Sequence, residues 1–228
     1  MNSGIVTNWS KAPPPLPWAT MVITLACVMV ALVYSSVPPL GQRAMIEVAG
    51  ALPSETARIL DQPPGTWLQS GIVSIFSALF VHSSWWHLLG NLAYLWVFGL
   101  AVERRVGPLM FAVLFLAGGS LAHVGVALQV PDLSTPIIGA SGAVSAVVGA
   151  YLVFFPSRRI GLFIPLGLYL QFARVPALLV IGSWFTLQLL YTVFGPITGV
   201  VSWWTHVAGF SLGIMFALLA RALAQLRV

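Results

Sequence analysis

Apolar runs long enough to cross a bilayer recur along this chain, and they constrain its fold more than any other feature. A helix needs about 20 mostly apolar residues to span the hydrocarbon core of a membrane. Of the 228 residues, 59% are hydrophobic and only 7% are charged, which excludes a water-soluble globular protein. We therefore predict an all-α integral membrane protein built as a six-helix bundle, with spans near 18–37, 84–102, 107–129, 139–155, 172–194 and 203–220.

We expect a single domain, with residues 1–17 as a short cytoplasmic tail and residues 18–228 as the membrane bundle. Because further apolar runs follow the first one, we interpret it as a retained helix and not as a cleaved signal peptide. The long first loop, roughly 38–83, has a mixed composition and is expected to lie partly in the outer interface. Cys27 is the single cysteine, so no intramolecular disulfide can form.

The basic residues divide unevenly between the loops, and this predicts the orientation. With six crossings, one side of the membrane carries Lys11, Arg104, Arg105, Arg158, Arg159, Arg174, Arg221 and Arg227. Basic loops stay cytoplasmic, so we expect both termini in the cytoplasm. We interpret these scattered residues as topology signals and not as a nucleic-acid-binding patch. Because the tails are short, the expected location is a bacterial inner membrane.

Few polar side chains interrupt the apolar runs, and such groups mark function by default because burying them in lipid is costly. They are His82, His87, Asn91, His123, Ser141 and His206. Counted at about 1.5 Å per residue from the cytoplasmic arginines, Ser141, His206 and His87 lie roughly 23–26 Å above the cytoplasmic interface, and Asn91 lies roughly 20 Å above it. These four groups are predicted to share one layer in the outer half of the membrane. We interpret His82 and His123 as structural.

Small residues predict which helices touch, because close helix approach in lipid requires them. They fall at steps of three and four in two of the runs. The fourth run has Ser141, Ser145 and Gly149, and the sixth has Gly209, Gly213 and Ala217 on the same face as His206. Packing these two faces together would bring Ser141 near His206.

The fourth run is short, and its approach is predicted to be non-helical because Pro131 and Pro136 precede Gly139. Irregular backbone at membrane depth is tolerated only where protein or water satisfies its polar groups. We therefore expect a water-filled cavity, open to the outside, with Ser141 on a helix N-terminus at its floor.

The segment Gly139-Ala140-Ser141-Gly142 predicts a turn that a substrate backbone can approach closely. A serine hydroxyl becomes nucleophilic when a base takes its proton, and His206 is the candidate base. No carboxylate lies at this depth, so we predict a Ser–His dyad. Asn91 and His87 are four residues apart on one helix face and, with the Ser141 N–H, could form an oxyanion hole.

Each candidate also has a structural interpretation, which the spacing alone leaves open. Ser141 could be a small packing residue bonded to its own helix. His206 could be a buried histidine bonded to a carbonyl oxygen. His87 and Asn91 could join two helices by hydrogen bonds.

Together these motifs resemble the rhomboid family of intramembrane serine proteases, over about residues 74–220. The residues that carry the likeness are His82, His87 and Asn91 for its H-x4-H-x3-N signature, Glu103 and Gly107 for its E-x3-G, Gly139 to Gly142 for its G-x-S-G, and His206, Gly209 and Gly213 for its H-x2-G-x3-G. The combination is far more specific than any one of its parts.

The resemblance implies a serine endopeptidase that cleaves single-pass membrane proteins in or near the outer half of their helices, without a cofactor. Ser141 would attack, His206 would act as base and then acid, and Asn91, His87 and the Ser141 N–H would bind the oxyanion. The fifth helix and the loop before Trp203 would act as gate and cap. Packing support would come from Gly139, Gly142, Gly209, Gly213, Ser145 and His82.

The sequence departs from the family pattern at two places. Many members have Trp-Arg in the first loop, where this chain has Val73-Ser74, so the geometry of that loop is not predicted. Some members have a tyrosine four residues after the nucleophile, where this chain has Ser145, so the imidazole is expected to be held differently.

Three other functions compete with this hypothesis. A catalytically inactive relative that binds or escorts membrane proteins would be expected to lack the serine or the histidine, and this chain keeps both. A metal-dependent intramembrane protease would need a motif such as H-E-x-x-H, which is absent. A transporter would normally place its polar groups at the midplane, with symmetry between its halves.

Overall fold

A computed structural model describes residues 16–68, 70–166, 169–194 and 198–225, and most of these residues are helical. The elements are α1 (Trp18–Ser36), α2 (Pro39–Ala49), α3 (Pro53–Leu60), α4 (Val73–Ser77), α5 (Trp85–Val106), α6 (Pro108–Gln129), α7 (Ser141–Phe154), β1 (Arg159–Leu166), β2 (Tyr169–Pro176), α8 (Ala177–Phe194) and α9 (Thr198–Gln225). In the described part of the chain, five helices (α1, α5, α6, α8 and α9) are long and apolar enough to cross a membrane, and α7 is a shorter apolar helix. The chain is therefore a multi-pass membrane protein.

The helix boundaries agree with the predicted runs except around the fifth and sixth. The predicted fifth run, 172–194, is wrong at its start, because residues 172–176 belong to β2 and α8 begins at Ala177. β1 and β2 pair antiparallel from Arg159–Pro176 to Leu166–Tyr169. A residue before proline is driven towards extended backbone, so Val175 and Pro176 end the strand where the helix begins. α9 is longer than the predicted run 203–220. The predicted tail lies almost wholly outside the described residues.

α7 is the most buried helix of the bundle, and every residue from Gly142 to Tyr151 is buried. It packs against α9 so closely that a Cβ atom added at Gly209 would collide with the carbonyl oxygen of Gly142, and one at Gly213 with that of Ala146. In the other direction, a Cβ atom at Gly149 would collide with the carbonyl oxygen of Phe210. The predicted contact between the small-residue faces of the fourth and sixth runs is confirmed.

The backbone before α7 is non-helical, as predicted, and the first loop satisfies its polar groups. Ala51 and Ile137 exchange backbone hydrogen bonds of 2.9 and 2.8 Å, which form an isolated antiparallel bridge. The Gly139 N–H donates to the carbonyl of Ala78 at 2.8 Å. Val73-Ser74, where many family members have Trp-Arg, begins α4. The first loop therefore holds the segment that leads into Ser141.

A buried carboxylate joins α5 to the start of α1. Glu103 is only 3% exposed. Its two oxygens accept hydrogen bonds from the Ala19 N–H (2.8 Å), the Thr20 N–H (2.9 Å) and the Thr20 hydroxyl (2.6 Å). The first N–H groups of a helix have no partner within that helix, and an anion at this end is also favoured by the helix dipole. Glu103 therefore caps α1 from a neighbouring helix.

We predict that Gly213→Ala destabilises the protein, because its methyl group must displace the Ala146 carbonyl and separate α7 from α9. Overpacking of this kind costs typically about 1–3 kcal/mol, which thermal unfolding in detergent would show as a lower Tm. The matched control is Gly182→Ala in α8, where an added Cβ atom meets nothing within 4 Å. That variant should unfold at or above the wild-type temperature, since alanine is the better helix former. Equal Tm values for the two variants would contradict the packing account.

We predict that Glu103→Gln lowers the free energy of unfolding by about 1–3 kcal/mol, because an amide cannot accept every hydrogen bond that the carboxylate accepts. Glu55→Gln is the control, since the Glu55–Arg58 ion pair is solvent-exposed. Exposed pairs contribute no more than about 1 kcal/mol, so this variant should unfold near the wild-type denaturant concentration. A Glu103→Gln protein as stable as the control would show that the cap carries no stability.

Candidate active site

A cavity of about 520 Å³ lies between α5, α7, α8 and α9, next to the residue at which α7 begins. Four of the residues singled out in the sequence line it together, which are His87, Asn91, Ser141 and His206. The structure therefore brings the predicted polar layer into one space. The remaining lining is largely apolar and aromatic and includes Tyr94, Trp184, Leu187 and Tyr191.

Ser141 is the first residue of α7, as the sequence predicts. The serine one turn further on, Ser145, is fully buried, and its hydroxyl donates to the Ser141 carbonyl at 2.6 Å. This i−4 bond is the structural use of a helical serine that we weighed for Ser141. Ser145 also packs against α9, because a Cβ atom added at Gly209 would lie 3.2 Å from the Ser145 Cβ. Ser145 thus supports the first turn of α7 by packing.

His206 lies on α9 beside the first turn of α7 and is 4% exposed. Within the described ranges neither of its ring nitrogens has a hydrogen-bond partner. The predicted hydrogen bond to Ser141 is therefore not formed, and neither is the bond to a carbonyl of the structural interpretation. The imidazole is held by packing, because the Trp184 ring of α8 lies 5.0 Å from it between ring centroids.

His87 and Asn91 occupy one face of α5 and meet the glycine turn before Ser141. Gly139 has φ +109°, a conformation that side chains disfavour. A Cβ atom added there would lie 2.7 Å from both Cε1 and Nε2 of His87, and 3.8 Å from Nδ2 of Asn91. The Asn91 amide donates to the His87 carbonyl at 3.2 Å. A glycine is therefore required at position 139 by both its backbone conformation and its neighbours.

His82 connects the first loop to the same turn. Its Nδ1–H donates to the Phe80 carbonyl at 3.1 Å, and its Nε2 accepts from the Ala140 N–H at 3.4 Å. Its ring also meets the His87 ring edge-on, at 5.0 Å between centroids. Burial, and then the nearby His87, lower the pKa of His82 from its usual 6.5 to about 4. His82 therefore acts as a neutral hydrogen-bonding bridge, which agrees with the structural role assigned to it.

The other histidine interpreted as structural, His123, lies outside the cavity. It is buried in α6, and its Nδ1 bonds to the Ile75 carbonyl of α4 at 3.1 Å. In the part of the chain that the structure describes, no three His, Cys, Asp or Glu side chains are grouped as metal ligands.

Sequence reasoning missed the aromatic wall of the cavity. Trp184 contacts both His206 and Tyr94, whose ring centroid lies 5.5 Å away. The sequence analysis assigned no role to the aromatic residues within the runs. The available signal was that Trp184 and Tyr94 stand in the middle of their runs, where a tryptophan N–H or tyrosine O–H needs a reason to be.

We predict that acidification destabilises the fold around His82. The pKa of His82 is lower in the folded protein than in the unfolded one, so as the pH falls the unfolded state binds a proton first. The contribution of neutral His82 to the free energy of unfolding is therefore complete above pH 6.5 and is lost as the pH falls from there towards about 4. His82→Gln should flatten this part of the profile, because glutamine does not titrate. The measurement is the Tm in detergent between pH 7.5 and 4 for both proteins, and parallel profiles would contradict the assignment.

Two kinds of comparison place the chain among known proteins. A family model described as Rhomboid domain matches residues 69–223. The chain is 33% identical over 97 residues to "Rhomboid protein 1, mitochondrial" of Saccharomyces cerevisiae, covering 40% of this chain and 28% of that protein. It is 30% identical over 89 residues to "Putative rhomboid protease YdcA" of Bacillus subtilis, covering 38% of this chain and 44% of that protein. The alignments thus span less than half the length of each relative. Because the family model covers more than half of the chain, the protein belongs to the rhomboid family.

Proposed function

We propose that this protein is an intramembrane serine endopeptidase, with Ser141 as nucleophile and His206 as general base. The observation that carries the proposal is their shared cavity: Ser141 starts α7 there, and His206 faces it with neither ring nitrogen bonded among the described residues. A buried imidazole without partners is costly, by about 1–3 kcal/mol for each unsatisfied group. A role in proton transfer accounts for that cost.

In the proposed reaction, His206 takes the proton of the Ser141 hydroxyl as the oxygen attacks the peptide carbonyl, and later gives it to the leaving amine. Catalytic hydrogen bonds are often long in the absence of substrate and tighten in the complex, which is compatible with the unbonded imidazole. Trp184 fixes the ring plane from one side. The absence of a carboxylate from the residues that line the cavity supports a dyad.

Donors for the developing oxyanion would come from two elements. The Ser141 N–H lies at the N-terminus of α7, where unpaired N–H groups and the helix dipole favour negative charge. The Asn91 amide and the His87 ring lie across the turn, against Gly139. The Asn91 amide has two N–H bonds, and one suffices for its contact with the His87 carbonyl. Removing one such donor typically raises the barrier by about 2.7–4 kcal/mol.

The short α7 supports a site inside the membrane. Its 14 residues extend for only about 21 Å at 1.5 Å per residue, whereas the hydrocarbon core is about 30 Å thick. A helix that reaches one interface with Phe154 therefore starts below the other. We propose six spans in a single domain, with both termini cytoplasmic and the cavity hydrated from the outer side. The names of the two relatives are compatible with this activity.

The proposed substrates are single-pass membrane proteins. The cavity offers apolar and aromatic walls for their side chains, such as Leu187 and Tyr191, and a few polar groups for an unwound backbone. α8 forms this wall, and Ala177 and Ile181 are its buried residues in the described part. A weakly packed wall is the side through which a membrane-embedded segment would enter.

We predict that Ser141→Ala and His206→Ala each reduce cleavage of a single-pass substrate in liposomes by roughly 10⁴-fold or more. The matched control is Ser145→Ala, which removes a serine one turn away whose hydroxyl is bonded to the helix backbone. It should keep most of its activity. A fluorophosphonate probe should label the wild type and Ser145→Ala but not Ser141→Ala.

The same experiment separates the proposal from its main competitor. If Ser141→Ala cleaves the substrate as fast as the wild type, the serine is not the nucleophile. If neither protein cleaves the substrate but both retain it, a binding or escort role is favoured. If Ser145→Ala is as inactive as Ser141→Ala while its Tm is unchanged, the assignment of the nucleophile is wrong.

A further inference from the structure

Three arginines gather around a cleft at the end of the bundle opposite the candidate active site. Arg104 and Arg105 end α5, and Arg158 follows α7. The cleft has a volume of about 430 Å³, and its floor is formed by Val97, Leu100, Ala101 and Phe155. We call this feature the arginine cleft. Cationic groups lie above apolar side chains here, which is the order of chemical groups at a membrane surface.

The charge of the arginine cleft is not neutralised within the described residues. The acid nearest to it in sequence, Glu103, points into the bundle and binds the amides of α1. The ion pair found among the described residues, Arg58–Glu55, belongs to α3 in the first loop. None of the residues lining the cleft is acidic. An anion from outside the chain would therefore find uncompensated positive charge.

The guanidinium groups are oriented by aromatic rings and not by carboxylates. The Arg158 Cζ lies 4.9 Å from the Phe155 ring centroid, and the Arg105 Cζ lies 5.9 Å from that of Phe154. A cation–π contact of this kind uses none of the guanidinium N–H groups as hydrogen-bond donors to a side-chain oxygen, so they remain available for bonds to a phosphate. Two of the three cations are thus placed in advance, which lowers the entropic cost of binding.

Apolar surface continues beyond the cleft along the outside of the bundle. A second depression, of about 570 Å³, shares Arg105 with the first and runs along α6 and α9 past Met110 and Leu219. These two side chains are 50% and 60% exposed. Arg221 stands at its rim, where it donates to the Val153 carbonyl at 3.3 Å. Acyl chains attached to an anion in the arginine cleft would have apolar surface to follow.

We infer that the arginine cleft is a binding site for the headgroup of an anionic phospholipid. Charge complementarity selects the phosphodiester, and the apolar floor and neighbouring depression select a lipid over a free phosphate. Basic pockets between membrane helices bind acidic headgroups in this way. The scattered arginines are therefore more than orientation signals, because the fold collects three of them into one site. The inference does not depend on the proposed protease activity.

The test is native mass spectrometry of the full chain, delipidated in detergent and titrated with phosphatidylglycerol or with phosphatidylcholine of the same acyl chains. We expect tighter retention of phosphatidylglycerol. An arginine near a membrane surface contributes about 1 kcal/mol to binding of acidic lipid, so Arg158→Gln should weaken it about fivefold and Arg105→Gln/Arg158→Gln about 25-fold. The control is Arg43→Gln, an exposed arginine of α2 in the first loop, which should bind like the wild type.

Four outcomes would overturn the inference. Three are equal retention of both lipids by the wild type, equal weakening by Arg43→Gln and Arg158→Gln, and displacement of the lipid by millimolar inorganic phosphate, which would indicate a free-phosphate site. If Arg158→Gln lowers the Tm, Arg158→Lys is used in its place, because lysine keeps the positive charge but lacks the planar guanidinium that forms bidentate hydrogen bonds. It should bind phosphatidylglycerol between the wild type and Arg158→Gln, and wild-type binding by both variants would also refute the site.

Discussion

The contact of α7 with α9, backbone against backbone, is the interaction on which the rest of the structure depends. In a membrane the lipid tails are as apolar as leucine, so helices associate through close packing and not through exclusion from water. Gly209 and Gly213 meet carbonyl oxygens of α7, and Gly149 meets one of α9. This contact sets the separation of Ser141 and His206. A single methyl group in it would separate α7 from α9 next to the cavity that Ser141 and His206 both line.

The first loop fixes the same site from the other end. Extended backbone enters α7 at a depth where unpaired polar groups are costly, and the loop supplies their partners through Ala51, Ala78 and His82. The glycine turn is thus held by hydrogen bonds on one side and by the His87 ring and the Asn91 amide on the other. Helix packing and loop hydrogen bonding determine the position of Ser141 together, and neither would be sufficient alone.

The parts of the fold that could be predicted from the sequence are those where a polar group or a close helix contact in the bilayer needs a specific residue. Polar groups such as His206 are rare in apolar runs, and glycines at steps of three or four have few other uses, so the shared cavity and the α7–α9 contact could be expected. The start of α8 was not predicted although Pro176 marks it, because the run 172–194 was read from its apolar character alone, which does not separate a strand from a helix. Trp184 was missed because its position in the middle of a run, where the indole N–H is costly to bury, was not used as a signal. The Ser141–His206 hydrogen bond was predicted and is not formed, because rotamers and sub-ångström separations are not encoded in spacing.

The Glu103 cap has a consequence for the vertical alignment of the first helix. A shift of an apolar helix by one residue along the bilayer normal costs little free energy, because it replaces one apolar side chain in the hydrocarbon core by another. The carboxylate binds the amides of residues 19 and 20 together with the Thr20 hydroxyl, and a slip of about 1.5 Å would break these bonds at once. α1 is therefore held in register with α5 to a single residue, and its height in the bilayer follows from that of α5.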